Sequence, residues 1–483
     1  MGIDQYLLYI DGSWQESQSG ADFESLDPAT NEPVAEVAQG GKADVDAAVD
    51  AAQAALDGKE WGRLDGAARG RILGRIADLI RGRADELARL ESLDNGKTLK
   101  EARGDVGYVA WTWEYYAGLT DKIEGKTIPV PGARFDYTRV EPLGVTAHIV
   151  PWNYPLVLGS RGIAPALAAG NTAVVKPSSA APLTNLRLAE LAKEAGLPDG
   201  VLNVVPGSGR ETGQALAGHP GIDGITFTGS VDTGRAIMRA AAEHIVPVIL
   251  ELGGKCPNVV MEDADLARAQ RGAVRGIFTN AGQMCWAGSR LLLPASEQDA
   301  FLKDLKAEAD GLVVGPGSVK ESQMGPLISP EQEEQVLKYI EIGRDEGATL
   351  LAGGEKVEEG ALAKGNFVRP TVFTEVTPDM TIAREEIFGP VLSVLAFEDE
   401  EEAIQIANDT GFGLCAGLWT RDLARAHRMA ARLQAGIVSV NEYPITFPQT
   451  PFGGYKESGI GREQGLDAVY NYSRVKNVLI NLL

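Results

Sequence analysis

The sequence predicts an α/β protein built on parallel sheet. From Val140 to Leu250, short apolar runs alternate with helix-patterned stretches, the order expected of strands joined by right-handed helical crossovers. A second alternating block follows Gly254 and continues to about Val440. The chain is 483 residues long and 44% apolar, enough for two or three domains with cores of their own.

Charge and composition exclude several classes. With 45 Lys and Arg against 67 Asp and Glu, the formal charge is −22, the opposite of the basic stripes that nucleic-acid binding needs. No apolar run reaches the roughly 18–20 residues that cross a bilayer, so no membrane partner is expected. The start, MGIDQYLLYIDGSWQES, has no basic flank, apolar stretch or cleavage site of a secretory leader. Three cysteines (Cys256, Cys285, Cys415) make no disulfide framework and fit a reducing compartment, so a cytoplasmic location is expected. Four scattered histidines in no ligand pattern predict no metal site.

Along the first quarter, Lys42–Asp57 places Val45, Ala48, Val49, Ala52 and Leu56 near helical spacing. Ala67 to Leu90 reads as one helix with Ile72, Ile76, Leu79, Ile80 and Leu87 on a face. Val106 to Tyr116 carries an aromatic run that either packs or walls a tunnel. Then GVTAHIVPW reads as strand and turn, Ile163 to Ala169 as helix, NTAVVKPS as strand and turn, and Leu183 to Ala195 as helix. VLNVV, ITFTG and VPVILELGG read as strands. Ligands of such sheets bind outside the carboxyl ends of the strands, which here end in Gly, Pro, Lys or Ser, and a dinucleotide is the expected ligand. The usual G-x-G-x-x-G does not follow a strand; PGSGRETG, with Gly207, matches it only loosely. Farther on, strands are expected near Leu291 and Val391, a helix over Glu400–Asn408, and an apolar strand from about Tyr470 to Leu483. That last strand leaves an open edge unless another subunit covers it.

Seven short strings stand out: PWNYP (Pro151 to Pro155), KPS (Lys176 to Ser178), FTGS (Phe227 to Ser230), ELGGK (Glu251 to Lys255), GQMC (Gly282 to Cys285), EEIFGP (Glu385 to Pro390) and PFGGYKESG (Pro451 to Gly459). In this order and spacing they resemble the aldehyde dehydrogenase superfamily across essentially the whole chain. The resemblance implies NAD(P)-dependent, non-acylating oxidation of an aldehyde to a carboxylic acid. It implies a Rossmann-type cofactor-binding domain (1–120 and 140–250), an α/β catalytic domain (251–440) and a small oligomerisation element (121–139 and 468–483), in a homodimer or homotetramer.

The chemistry explains the residue types. A hydride leaves an aldehyde only after a nucleophile has made its carbon tetrahedral. Cys285 sits among small and polar residues (Gly282, Gln283, Gly288, Ser289), as a nucleophile does, whereas Cys256 and Cys415 lie in apolar sequence and read as inert core thiols. Asn153 matches the family's oxyanion-stabilising asparagine, beside the backbone N–H of Cys285. Glu251, ending an apolar strand, fits the base that activates the hydrolytic water; its presence favours free acid over an acyl-CoA product.

For the cofactor, the resemblance implies contacts at Pro151, Trp152, Lys176, Ser178, Gly207, Phe227, Gly229, Ser230, Leu252, Glu386 and Phe388. Gly229 and Ser230 would form the pyrophosphate turn, Gly234 would permit close helix packing, and Glu386 with Phe388 would position the nicotinamide ribose. Ser179 stands three residues after Lys176, where many NAD-preferring members carry glutamate, so NADP is expected to be tolerated. For the substrate, Tyr108, Tyr154, Trp286 and Phe452 predict an aromatic-lined pocket. Arg161 replaces the tryptophan of broad aliphatic members; it either meets an anionic or phenolic substrate group or forms a structural salt bridge. An aromatic or bulky apolar aldehyde is the leading expectation. A semialdehyde held by Arg161 is the alternative, weakened by Thr279 where a second arginine would stand. A catalytically silent relative or a cysteine hydrolase are the readings outside the redox class.

Overall fold

The computed structural model describes residues 4–483, the side chain of Glu297 excepted. Two large sheets organise them. The first has eight strands, and its centre is parallel: Leu202–Val204, Thr172–Lys176, Val145–Ile149, Gly224–Thr228 and Val248–Glu251 lie side by side in that order. Counted along the chain this is order 3-2-1-4-5, with the direction of progression reversing between Val145–Ile149 and Gly224–Thr228. That reversal opens a crevice at the carboxyl ends of the two strands. The second sheet has seven strands around Pro257–Val260 and Arg290–Pro294, all parallel except the edge strand Thr349–Ala352.

The helix Lys42–Asp57 forms over the expected range, with the Asp44 carboxylate accepting from the Gly41 N–H at 2.8 Å. The expected helix from Ala67 to Leu90 is instead two, Gly66–Gly82 and Ala84–Asn95, broken at Arg83 (φ −116°, ψ 25°). Gly82 disfavours continuation, and Asp85 and Glu86 complement the amino end of a new helix. The helix expected from Ile163 begins earlier, at Pro155, because proline is pre-shaped for a first helical position; all of Pro155–Ala169 is buried.

The first forty residues hold strands ahead of the helices that the sequence pattern marks in the first quarter. Leu8–Ile10 and Ser13–Gln15 add a hairpin to the eight-stranded sheet, and Asp22–Asp27 and Glu32–Ala38 form a separate small sheet with Asp4–Tyr6. The C-terminal strand Ser473–Asn481 pairs antiparallel with Arg134–Pro142 through nine residue pairs, and Thr127–Ile128 covers the other side of that partner. One edge of the terminal strand is thus satisfied within the chain, and the other has no strand paired to it among the described residues. Among the described residues no helix is long and apolar enough to cross a membrane, and no cluster of potential metal ligands occurs.

Candidate active site

The turn before Cys285 is built by strain and clamped by side chains. Asn280 (φ 48°), Ala281 (φ 51°) and Gly282 (φ 74°) are consecutively left-handed, a conformation that two non-glycine residues hold only when their surroundings insist on it. Glu101 supplies part of that insistence. Its carboxylate closes the capping box of helix Leu99–Ala117, accepting from the Thr98 N–H at 2.8 Å, and also accepts from the Asn280 N–H at 2.8 Å. Gln283 accepts from the Ile328 N–H at 2.9 Å and donates to the Asn280 carbonyl at 3.1 Å.

Asn153 comes to the same place from the turn between strand Val145–Ile149 and helix Pro155–Ala169. Its Nδ2 donates to the Gln283 carbonyl at 2.9 Å, and its own carbonyl accepts from Asn280 Nδ2 at 2.9 Å. Asn95 Nδ2 holds the neighbouring Trp152 carbonyl at 2.8 Å. Asn95, Asn280 and Glu101 thus orient the predicted pair without having been singled out in the sequence; the capping-box spacing Thr98–Glu101 is the signal that points to one of them.

Cys285 and Asn153 line a tunnel of about 280 Å³ with Tyr108, Tyr154, Arg161, Trp286 and Phe452, so every residue proposed for the pocket meets there. Asp105, Val157, Leu158, Ile445, Thr446 and Gln464 are also in its wall. Trp286 and Phe452 stack edge to face at 5.6 Å. Burial pushes the Cys285 thiol up, while the Arg161 guanidinium pulls it back down.

Arg161 is less free than its place in the sequence implied. Buried in the helix, it lies 2.7 Å from Glu463 and 4.0 Å over the Phe452 ring, so a neighbouring carboxylate already answers its charge. The Glu463 contact is an ion contact off hydrogen-bond alignment, since neither oxygen of Glu463 has a hydrogen-bond partner among the described residues. Glu463 was not anticipated; only its place just after PFGGYKESG hinted at it. Glu251 ends the strand Val248–Glu251, fully buried, and both its carboxylate oxygens lack hydrogen-bond partners among the described residues. Burial drives its pKa well up, Glu463 adds to the rise, and Arg161 and Arg462 oppose it. Cys256 and Cys415 are buried, as expected of core thiols.

At the topological switch lies a cleft of about 850 Å³, lined by Pro151, Trp152, Lys176, Ser178, Phe227, Gly229 and Ser230 together with Gly209, Arg210, Gly213 and Thr233. Ser230 caps the helix Val231–His244, accepting from the Thr233 N–H at 3.3 Å, so that helix's positive end opens on the cleft. Burial lowers the Lys176 ammonium to about 8. Phe388 meets Trp152 edge to face at 5.2 Å. Glu386 accepts from the Gly254 N–H at 2.9 Å. This cleft has the size, the helix end and the cation that a dinucleotide requires.

Some expected contacts fall elsewhere. Gly207 is buried against Thr212 and the Gly40 carbonyl, where its missing side chain lets the loop close, and Gly209, Arg210 and Gly213 face the cleft instead. Leu252 packs where a Cβ on Gly234 would sit, so Gly234 permits the close helix packing expected of it, while Leu252 is a packing partner under the helix rather than a lining group. Ser179 lies just past the lining residue Ser178, outside the wall itself.

The sequence pattern of the aldehyde dehydrogenase family matches residues 14–478. The chain belongs to that family. A hydroxyisobutyraldehyde dehydrogenase of Mycolicibacterium austroafricanum is 48% identical over 476 residues, covering 99% of this chain and 94% of that protein. The NAD+ complex of an aldehyde dehydrogenase from Bacillus cereus superposes with a TM-score of 0.98 at 47% identity, over 99% of this chain and 97% of that one. Betaine aldehyde dehydrogenase from Staphylococcus aureus, solved with NAD+, gives 0.97 at 40% identity, over 98% and 94%. Asn153 and Cys285 line the tunnel, and Pro151 and Trp152, on the turn that carries Asn153, line the cleft.

Proposed function

We propose that this chain oxidises aromatic or bulky apolar aldehydes to carboxylic acids, using NAD+ and tolerating NADP+. The observation that carries this reading is the tunnel. Cys285 and Asn153 sit in a narrow channel whose walls are Tyr154, Trp286, Phe452, Val157 and Leu158, and whose arginine is already paired with Glu463. An anionic semialdehyde would have to compete with that buried carboxylate, which disfavours the alternative.

In the proposed reaction the Cys285 thiolate bonds to the carbonyl carbon, and Asn153 Nδ2 with the Cys285 backbone N–H stabilises the oxyanion. The bound nicotinamide supplies the hydride acceptor, the role consistent with NAD+ in the Bacillus cereus and Staphylococcus aureus relatives. A thioester remains on Cys285. Glu251 takes a proton from water, the oxygen adds to the thioester carbon, and the thiolate leaves with the acid as product. Lys176, Ser178, Gly229 and Ser230 are assigned to the adenosine and pyrophosphate, and Glu386 with Phe388 to the nicotinamide ribose. NADP+ tolerance rests on Ser179, which brings no charge against a 2′-phosphate, and on Arg210 in the cleft beside Lys176.

A second reading, a hydroxylated aldehyde, draws on the polar side of the tunnel. Gln464 Nε2 donates to the Tyr108 hydroxyl and Gln464 Oε1 accepts from the Thr446 hydroxyl at 2.9 Å, and the Mycolicibacterium relative carries a hydroxyaldehyde in its name.

The test is a panel of benzaldehyde, hydroxybenzaldehydes, hydroxyisobutyraldehyde, succinic semialdehyde, hexanal and betaine aldehyde, run with each cofactor. The highest kcat/KM is expected for a benzaldehyde; a succinic semialdehyde optimum would return Arg161 to substrate binding. Cys285→Ala is expected to abolish turnover and keep NAD+ binding. We also propose that copies of the chain associate through the sheet containing Ser473–Asn481.

A further inference from the structure

Asp105 stands in the tunnel wall on the helix Leu99–Ala117, three residues before Tyr108. Lys97 holds it from behind: the ammonium lies 2.6 Å from Asp105 Oδ2, 3.5 Å from Glu91 Oε1 and 4.0 Å over the ring of Tyr154. The Lys97 and Glu91 side chains are fully buried, whereas that of Asp105 keeps 17% of its surface open. Burial raises the Asp105 carboxyl, and the Lys97 ammonium opposes that rise. Burial also works against the Lys97 ammonium, but Asp105 and Glu91 outweigh it and lift the group above its ordinary value. A buried ion pair adds little stability over apolar side chains of equal volume, so packing alone does not account for this one. The other polar groups of the wall are taken up. Arg161 lies 2.7 Å from Glu463, and Tyr108, Gln464 and Thr446 bond with one another. Beyond Asn153 and Cys285, the Tyr154 hydroxyl and Asp105 Oδ1 remain, neither with a hydrogen-bond partner among the described residues. A tyrosine hydroxyl both donates and accepts, so it selects little; a carboxylate oxygen beside an ammonium only accepts.

We propose that Asp105 is a specificity-determining residue: its tunnel-facing oxygen accepts a hydrogen bond from a hydroxyl that the aldehyde carries away from its carbonyl. The inference rests on the hydroxylated-aldehyde reading of this tunnel and deepens it. Lys97 answers the charge of Asp105 before substrate arrives, so the wall offers an acceptor rather than a net negative site, and a neutral hydroxyl is the matching group. Elsewhere among the aromatic and aliphatic walls, a hydroxyl would lose its water without replacement.

The test is steady-state kinetics of the full-length parent and of Asp105→Leu on aldehydes of equal shape, hydroxymethylbenzaldehyde against ethylbenzaldehyde and hydroxyisobutyraldehyde against methylbutanal. The parent is expected to favour the hydroxylated member of at least one pair about ten-fold in kcat/KM, and Asp105→Leu to abolish or reverse that ratio. A parent that treats each pair alike removes the hydroxylated reading and the inference together. A parent that discriminates while Asp105→Leu keeps the full ratio overturns the inference alone and leaves the hydroxyl to Tyr108 and Gln464. Should Asp105→Leu not fold, Asp105→Asn decides. Its amide oxygen serves Lys97 and its N–H turns to the tunnel, so the parent's preference for hydroxymethylbenzaldehyde over the methyl ether of that compound should vanish. A preference that survives in Asp105→Asn overturns the proposal.

Discussion

Burial pushes the Glu251 carboxyl well up from its ordinary value, the second buried acid Glu463 adds to the rise, and Arg161 and Arg462 oppose it. A base must be deprotonated to work, so hydrolysis of the thioester should accelerate as pH rises, with the two carboxyls titrating as a pair rather than singly. Glu251→Gln should release one equivalent of NADH in a burst and then stall at the acyl-enzyme, read by stopped-flow absorbance; steady turnover at the parent rate would remove Glu251 from the mechanism. Asn153→Ala should cost roughly 2.7–4 kcal/mol of transition-state stabilisation, a fall of about 10²–10³ in kcat with little change in NAD+ affinity. The meeting of Asn153 and Cys285 in one tunnel was legible because each sits in a short string whose chemistry constrains residue type. Glu463 and the pairing of Arg161 were not, because that contact joins residues far apart in sequence and no local pattern encodes it.

At the scale of elements, the helix Leu99–Ala117 reaches the chemistry through its cap. Glu101 holds both the helix start and the left-handed turn before Cys285. Glu101→Ala should lower stability by about 1 kcal/mol, as lost caps do, and should also lower kcat while ADP and NAD+ still bind. Unfolding by denaturant and steady-state kinetics on one preparation separate the two effects, and loss of stability with unchanged kcat would mean that Gln283 alone fixes the turn. Strands and helices with strong periodicity were readable: Lys42–Asp57 and Glu400–Asn408 form over the expected residues. Boundaries set by one residue were not. The break at Arg83 and the early start at Pro155 depend on glycine, proline and the charges of the next turn, which periodicity does not weigh. The N-terminal strands escaped notice because most are short, and although two local pairings join them, Leu8–Ile10 reaches the large sheet only through distant Leu202–Val204. Strand Val145–Ile149 adds a pH-sensitive core: burial lowers His148 to about 3, and Nε2 lies 2.9 Å from the Thr146 hydroxyl. An unfolded histidine gains its proton near pH 6.5 and this one does not, so the unfolded state binds more protons and stability falls as pH drops from about 6.5 to 3, by about 4–5 kcal/mol. Asp94, lifted to about 7 by burial, acts in the opposite direction between about pH 4 and 7. His148→Asn should flatten the acid limb, measured as the difference in denaturant midpoint between pH 7 and pH 4; an unchanged slope would show that His148 protonates in place.

For the whole molecule, the two sheets bring tunnel and cleft to one turn, while the small sheet of Thr127–Ile128, Arg134–Pro142 and Ser473–Asn481 stands apart from both. Its surface is not that of a solvated edge. Val475 is 68% exposed, Leu479 56% and Phe135 43%, and the outer side of Ser473–Asn481 has no strand paired to it among the described residues. Such an edge invites another chain unless charge or proline blunts it. Strand alternation puts Val475 and Leu479 on one face with Asn477, and Arg474, Lys476 and Ile480 on the other, where Arg474 is 3.4 Å from Asp223, Lys476 is bonded to Glu141 within the chain at 2.5 Å, and Phe135 lies opposite Ile480. In the proposed association this face would meet the same face of a second copy, as in self-complementary interfaces. Val475→Glu with Leu479→Glu places two charges on that face and leaves both cavities untouched. By analytical ultracentrifugation the parent should sediment as a dimer or larger at micromolar concentration, and the double variant as a monomer. A parent that is already monomeric, or a variant that stays associated, would mean that this edge is not the contact.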